Sequence, residues 1–550
     1  MRTAKIEPMT ARRDFLKAGM AAAAITPAAA AAGPVPIKHD DARPSPFRFE
    51  EATVVDLGAA MARGEVSSAA LTHAYLERIA QIDRGLSGLR SVMETNPEAE
   101  AIAAGLDAER RAGRVRGPLH GLPILLKDNI ETADAMATSA GSLALGKHHA
   151  RKDAFIAERL RQAGAVILGK TNLSEWANFR STKSSSGWSG RGGQCRNPYA
   201  LDRNPCGSSS GSGAAVSANL AAAAIGTETD GSIVCPSSGN GVVGIKPTLG
   251  LVSRAGIIPI AHSQDTAGPM TRTVADAAAV LTALLGVDPR DHVTRLSRGP
   301  SIDYTTFLDR AGLKGARIGI GRKFFGRDAR VDRVMEEVIA AMKDAGAVMI
   351  DDCELSSGQE YADSEYEVLL YEFKADLNAF LATVDPALGI RSLDDVIRFN
   401  EANRDVEMPY FGQEIFLQAQ KKGGLESKEY LDALAKNLKA SREDGLDKAL
   451  AKDKLDAIVA PTGAPAWLID LVNGDSFGGV SSSQPPAVSG YPAITVPAGF
   501  ISGLPVGMTL MGPAWSEGAL IKYAYAFEQA TKHRRPPALA PTVPLGGKPW

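Results

Sequence analysis

Two kinds of residue are placed for chemistry in this sequence: serines set in glycine-rich turns, and lysines that follow short apolar runs. A serine hydroxyl is a weak nucleophile near neutral pH and needs a base beside it. Gly207-Ser208-Ser209-Ser210-Gly211 fits the G-x-S-x-G pattern around Ser209, which suggests a histidine-assisted hydrolase elbow. That elbow requires a strand directly before the turn. Here Leu201-Asp202-Arg203-Asn204-Pro205-Cys206 precedes it, which is loop chemistry, so the match reads as accidental. No lysine has a serine three positions before it, so the S-x-x-K arrangement is absent too. Ser232 is better placed, because it follows the small, turn-competent run Ile225-Gly226-Thr227-Glu228-Thr229-Asp230-Gly231. Successive backbone N–H groups in such a turn converge on one anion, as an oxyanion hole requires. Spacing alone favours an ordinary strand-to-loop turn. Lys127 ends the apolar run Gly121–Leu126, so its ammonium enters a site with hydrophobic walls. A free lysine has a pKa of about 10.4, and desolvation must lower it by roughly three units before it serves as a base near neutral pH. Lys170 and Lys246 follow similar runs, and composition does not rank the three.

The elements around these residues read as α/β. Residues 51–115 read as helical, and within Ser67–Asp83 the residues Leu71, Tyr75, Ile79 and Ile82 form one apolar face behind a serine cap. Gly121–Leu126 reads as a buried strand. Twice a helix, a glycine and a strand follow one another: Asp153–Ala163, Gly164, Ala165–Leu168, and Val331–Ala345, Gly346, Ala347–Ile350. Ile318–Ile320, Leu455–Val459, Ile494–Val496 and Met508–Leu510 are further strand candidates. This alternation predicts a substantial sheet with helices against it. Residues 181–213 are rich in Ser and Gly and run into the alanine-rich segment Ala214–Ala224, which must pack closely against something. A long stretch of that kind inside a domain is more often functional than idle. Residues 300–450 carry more charge and longer helices, including an exposed amphipathic helix over Glu426–Ala440. They read either as an insertion covering the substrate or as a packing layer.

The composition excludes several classes. Lys+Arg of 61 against Asp+Glu of 63 leaves no basic excess for a nucleic-acid binder. No apolar run of about 18–20 residues is present, so stable membrane insertion is not expected. Neither C-x-x-C nor H-E-x-x-H occurs, and no metal or cofactor is expected. Four cysteines do not make a disulfide framework, although Cys206 and Cys235 lie near Ser208 and Ser232 and either pair or stay as buried thiols. Thr10-Ala11-Arg12-Arg13-Asp14-Phe15-Leu16-Lys17 resembles the twin-arginine export motif, and a weakly apolar, alanine-ended stretch follows over Ala18–Ala32. The expected organisation is a signal peptide over 1–32, a linker over 33–50, one catalytic domain over 51–535 with a helical insertion at about 300–450, and a tail over 536–550. The expected address is periplasmic or secreted, with the twin-arginine machinery as a partner.

At these same residues the chain resembles the amidase signature family, nearest to its bacterial peptide amidases. Pro205-Cys206-Gly207-Ser208-Ser209-Ser210-Gly211-Ser212-Gly213 matches the glycine/serine signature. Gly226-Thr227-Glu228-Thr229-Asp230-Gly231-Ser232 matches the nucleophile segment, with Ser232 24 positions after Ser208, and Gly121–Asp128 matches the lysine segment. Gly241–Thr248 and Gln264–Met270 match two later blocks. The likeness runs from about residue 50 to 530 and is weakest over 300–450. It implies a single large mixed sheet covered by helices on both sides, and a Lys127–Ser208–Ser232 triad. In that triad Ser232 attacks an amide carbonyl. Ser208, after a cis bond from Gly207, passes the proton to neutral Lys127. Backbone N–H groups of Thr229, Asp230, Gly231 and Ser232 hold the oxyanion.

Three departures from the family pattern stand out: Cys206 and Asp230 replace glycines, and Val234 replaces an arginine that many members carry two residues after the nucleophile. Without that fixed cation the site is not expected to prefer small anionic amides. The reading is hydrolysis of a primary carboxamide, of a small molecule or of a peptide C-terminus, through an acyl-enzyme. The alternatives are a glutaminase-type component of an amidotransferase and an exported amide-binding protein without turnover.

Overall fold

The computed structural model describes residues 47–85, 88–297, 301–351 and 353–543. The export segment read over 1–32 and most of the linker read over 33–50 lie outside them. Eleven strands form one mixed sheet in the order Val92–Thr95, Val166–Thr171, Pro123–Lys127, Ala223–Glu228, Thr266–Thr271, Val243–Lys246, Ala493–Ile501, Leu504–Met511, Ala457–Pro461, Arg317–Ile320 and Val348–Ile350. Helices flank it, which is the α/β architecture expected. The chain folds this way because most of the central strands are continuous apolar runs, buried on both faces. Pro123–Lys127 pairs in parallel with both Val166–Thr171 and Ala223–Glu228. Its Lys127 end therefore emerges beside the Glu228 end of its neighbour.

The predicted helix over 67–83 forms as Ser68–Ile82, with the Ser67 side chain accepting from the Ala70 N–H and Leu71, Tyr75, Ile79 and Ile82 buried. Both helix–glycine–strand units also form, as Phe155–Gln162 into Val166–Thr171 and Ala329–Asp344 into Val348–Ile350.

Several expectations need correction. Residues 51–115 are not wholly helical, because Val92–Thr95 is an edge strand paired antiparallel with Val166–Thr171. Pairing to a sheet edge overrides the helical preference of Met93 and Glu94. Residues 47–50 are not linker: Phe47 and Phe49 pack on Tyr75, with ring centroids 5.1 and 6.5 Å away. Two phenylalanines bury too much apolar surface to remain outside the core. The start of the supposed tail is also tied down, since Leu539 N donates to Pro198 O and Leu201 N to Ala540 O. The 300–450 block is not one insertion. Arg317–Ile320, Ala329–Asp344 and Val348–Ile350 belong to the central sheet and its helices, and only the helices from Ala362 onward form a separate layer. That layer has its own core, in which Phe373 and Phe416 meet Phe179 and Trp176 from the Ser/Gly-rich side. Lys428–Leu438 lies within the helix read over Glu426–Ala440, and it is not fully exposed, because Tyr430 and Ala433 are buried against Ala362–Leu381.

Candidate active site

The Ser/Gly-rich stretch is tightly packed. It ends in the helix Ser210–Ser217, every residue of which is buried. A Cβ on Gly211 would lie 2.3 Å from the carbonyl oxygen of Ser91 and 2.5 Å from that of Asn172, so only glycine lets this helix approach the sheet so closely. The loop before the helix carries Ser208, and the Gly207–Ser208 peptide bond is cis, as the resemblance implied.

Three segments converge where Pro123–Lys127 and Ala223–Glu228 end. The Lys127 amine lies 2.9 Å from Ser208 Oγ, 2.8 Å from Thr227 Oγ1 and 3.2 Å from Thr227 O. Lys127 and Ser208 are both completely buried, and Ser232 is 8% exposed. Burial lowers the Lys127 pKa from 10.5 to about 7, and the carboxyls of Asp265 and then Glu228 oppose that shift only in part. Lys170 and Lys246 are also buried and lowered to about 8. Their amines point elsewhere, Lys170 to Ile130 O and Thr138 Oγ1 and Lys246 to Pro247 O at 3.3 Å. The ranking that composition left open is thus made by position: of the three, Lys127 is the lysine that reaches a serine.

Ser209 has a different role from the one its motif suggested. Its hydroxyl donates to Thr227 O at 3.0 Å and accepts from Thr227 N at 3.1 Å, while its own N–H donates to Ser232 O at 3.1 Å. It fastens the Ser208 loop to the strand end and to the Ser232 turn. Among the described residues no hydrogen bond joins the Ser208 and Ser232 hydroxyls, and such bonds often tighten only when substrate is bound.

The Ser232 turn is held from within. Glu228 Oε2 accepts from Ile233 N at 2.6 Å and Val234 N at 3.0 Å. Gly231 takes φ 77°, in the left-handed region that favours glycine. The N–H groups of Thr229, Asp230, Gly231 and Ser232 donate to no acceptor among the described residues, which leaves four consecutive donors free at the turn. A disulfide joins Cys206 to Cys235, with Cα atoms 6.0 Å apart, and so ties the Ser208 loop to the helix after Ser232. This resolves the two alternatives left by the sequence in favour of pairing.

Sequence reasoning missed Thr227, Asn129 and Asp265. Asn129 Nδ2 donates to Thr227 Oγ1 at 3.0 Å. Asp265 accepts from Thr229 Oγ1 at 2.5 Å and from Ile260 N and Ala261 N at 2.8 and 2.9 Å. Burial pushes its carboxyl up to about 6. These residues lay inside or beside the motif segments, but nothing in their type marked them until the strands met.

Ser232 opens on a cavity of about 390 Å³ whose walls include Phe179, Ile260, Leu369, Phe477 and Val480, with Asp230 at one side. No lysine or arginine lines it, and Val234 is buried in an apolar cluster. Away from this cavity, ligand atoms of His262, Glu372 and Asp376 lie within 4.8 Å of one another. The imidazole already contacts both carboxylates, at 2.9 and 3.4 Å, and its pKa is raised, first by its hydrogen bond to Asp376. An imidazole paired with Asp376 and beside Glu372 accounts for the cluster by hydrogen bonding alone. Among the described residues no helix is long and apolar enough to cross a membrane.

Comparison with known proteins agrees with this geometry. The family model described as Amidase matches residues 70–521. A crystal structure of native peptide amidase from Stenotrophomonas maltophilia superposes with a TM-score of 0.85 at 52% identity, covering 90% of this chain and 99% of that one. The peptide amidase PAM in complex with the competitive inhibitor chymostatin gives a TM-score of 0.86 at 53% identity, covering 89% and 100%. A "probable amidase" of Arabidopsis thaliana is 43% identical over 503 residues, 90% of this chain and 92% of that protein. A glutamyl-tRNA(Gln) amidotransferase component of Symbiobacterium thermophilum is 36% identical over 479 residues, 86% of this chain and 95% of that protein. By sequence match and by fold, the chain belongs to the amidase family and is an enzyme that hydrolyses amide C–N bonds.

Proposed function

We propose that Lys127, Ser208 and Ser232 act as a proton-relay triad that cleaves a primary carboxamide through an acyl-enzyme. The observation that carries this reading is a desolvated lysine amine 2.9 Å from Ser208 Oγ. A neutral amine has two N–H donors and one lone pair. Thr227 offers two acceptors, its carbonyl and its hydroxyl. With both N–H groups directed there, the lone pair faces Ser208. Ser208 gives its proton to that amine and takes the proton of Ser232, whose oxygen attacks the amide carbon. The free N–H groups of Thr229 to Ser232 stabilise the oxyanion as the tetrahedral intermediate forms. The proton returns through Ser208 to the leaving nitrogen and ammonia departs. Water then releases the acid by the same relay.

The cavity beside Ser232 supports a neutral, largely apolar acyl group, and peptide C-terminal amides fit it. The glutaminase-type reading has the weaker support, because no cation lines the cavity to take the α-carboxylate of glutamine. A binding protein without turnover would not need the three side chains together. The disulfide supports a periplasmic or secreted address reached by twin-arginine export, since such bonds persist in oxidising compartments.

The test is ammonia release from a panel of peptide, aryl and aliphatic amides, each paired with a carboxylate-bearing analogue. Neutral amides are expected to turn over, and Ser232→Ala and Lys127→Ala each to abolish release while the fold persists. Full activity in either variant, or preference for the anionic partner, refutes the reading.

A further inference from the structure

Ser208 lies between two ties from its loop to the Ser232 turn. After it, Ser209 N donates to Ser232 O at 3.1 Å. Before it, the disulfide joins Cys206 to Cys235, in the first turn of the helix Val234–Gly239. Cys206 itself sits at φ 59°, in the left-handed region that L side chains disfavour. The family pattern carries glycine at this position, and glycine takes that backbone freely. A Cβ there favours relaxation of the backbone leading into Gly207 and Ser208, and the bond to Cys235 opposes it. Such relaxation bears on the chemistry, because Ser208 Oγ must stay 2.9 Å from the Lys127 amine. A displacement of about 1 Å in a reacting group costs on the order of 100-fold in rate.

The bond is also within reach. Both cysteines line the cavity beside Ser232, Cys206 buried and Cys235 half-buried. A small thiol entering that cavity therefore has access to Cys235. Cys195 and Cys353 are buried and do not line it.

We propose that Cys206 and Cys235 are positioning residues whose bond holds Ser208 in place against Lys127 and Ser232, so that turnover follows the state of the bond. The oxidised enzyme is the active form, and the reduced enzyme is folded but slow. A dithiol makes the change in two steps. One of its thiolates attacks the Cys235 sulfur, and Cys206 leaves and takes a proton. Its second thiolate then closes the dithiol's own disulfide and frees Cys235 as a thiol. The protein gains the two electrons and two protons that the dithiol loses. A reducing compartment thus keeps the enzyme slow, and an oxidising one turns it on. This deepens the triad reading and rests on it.

The experiment measures ammonia release from the fastest neutral amide of the panel above, before and after dithiothreitol. Alkylation and peptide mass read the state of the bond in each sample, and circular dichroism reads the fold. On reduction kcat should fall on the order of 10- to 100-fold with KM little changed, and it should return on reoxidation with oxidised glutathione. Cys206→Ala with Cys235→Ala should be as slow and indifferent to dithiothreitol. Cys206→Gly with Cys235→Ala should recover most of the lost kcat, because glycine keeps the left-handed backbone without the bond. A disulfide that served stability alone would leave kcat of the folded enzyme unchanged throughout. The proposal is overturned by full kcat in the reduced, folded wild type, or by equal kcat in the alanine and glycine forms. A bond that resists dithiothreitol in the folded enzyme, or a loss of kcat that tracks loss of the dichroism signal, overturns it as well. If the alanine form does not fold, the reduced wild type and the glycine form decide the matter. The triad reading fails on a different result, full turnover by Lys127→Ala or Ser232→Ala.

Discussion

Replacing Lys127 with methionine removes the amine while keeping the length and volume of the side chain. The buried amine is lowered from 10.5 to about 7, so at pH 7 the folded chain carries a lysine that the unfolded chain would hold fully protonated. Linkage puts the cost of that mismatch at about 4 kcal/mol at pH 7. Between pH 7 and 10.5 the unfolded state binds a proton that the folded state has released. Stability therefore rises with pH in that window, by up to about 1.4 kcal/mol per unit, and is flat below it. Methionine has no proton to lose. The difference in stability, wild type minus Lys127→Met, should climb by about 4 kcal/mol from pH 7 to 10.5. Lys170 and Lys246 titrate in both proteins and cancel in this difference. Against the recovered desolvation stand the contacts to Ser208 and Thr227, worth about 1 kcal/mol each, so the variant should be no less stable than wild type at pH 7. Denaturant titrations of both proteins across this range, with ammonia release measured beside them, make the test. Parallel stability profiles would show that the lysine keeps its proton in the fold, and turnover by Lys127→Met would remove it from the chemistry. Either result defeats the reasoning.

Further outcomes follow from the same contacts. The wild-type kcat/KM should rise with pH through a limb near 7 and then level, because the amine must be neutral to accept a proton; a profile flat from pH 5 to 9 contradicts this. Thr227→Val removes the hydroxyl acceptor of Lys127 and should lower kcat about fivefold with KM little changed and the pH limb displaced, reflecting a hydrogen bond worth about 1 kcal/mol; rescue by Thr227→Ser distinguishes positioning from packing. Cys206→Ala with Cys235→Ala opens a loop of 29 residues and should cost roughly 3–4 kcal/mol of stability, read by denaturation with and without reductant. Changing Arg12 and Arg13 to lysine should leave the full-length precursor in the cytoplasm, and normal export of that variant would sink the twin-arginine assignment.

The legible parts of the sequence were those in which a local rule decides the outcome. The Ser67-capped helix, the two helix–glycine–strand units and the Pro123–Lys127 strand follow from period, capping and apolar runs, whose physics acts within a few residues. The motif blocks likewise carried the family, the placing of Ser208 and Ser232, and the cis bond between Gly207 and Ser208. Four strands of the large sheet escaped notice: Val92–Thr95, Ala223–Glu228, Val243–Lys246 and Thr266–Thr271. Val92–Thr95 carries Met and Glu and the other three carry alanine or glycine, residues of weak strand preference, and all four are strands because neighbours from distant parts of the chain offer them backbone partners.

The choice among three lysines also belonged to tertiary structure. Lys127, Lys170 and Lys246 all follow apolar runs and are all desolvated, and only strand order decides which amine meets a serine. The parallel pairing of Pro123–Lys127 with Ala223–Glu228 brings Lys127 to Thr227, 100 residues away in sequence. Ser209 was likewise separated from Ser208 by what each hydroxyl touches, a matter of ångströms that one-dimensional spacing does not encode. Residue type and local periodicity determined which groups were available for chemistry. Long-range packing, through burial and register, determined which buried amine lies beside Ser208 and which serine faces the cavity.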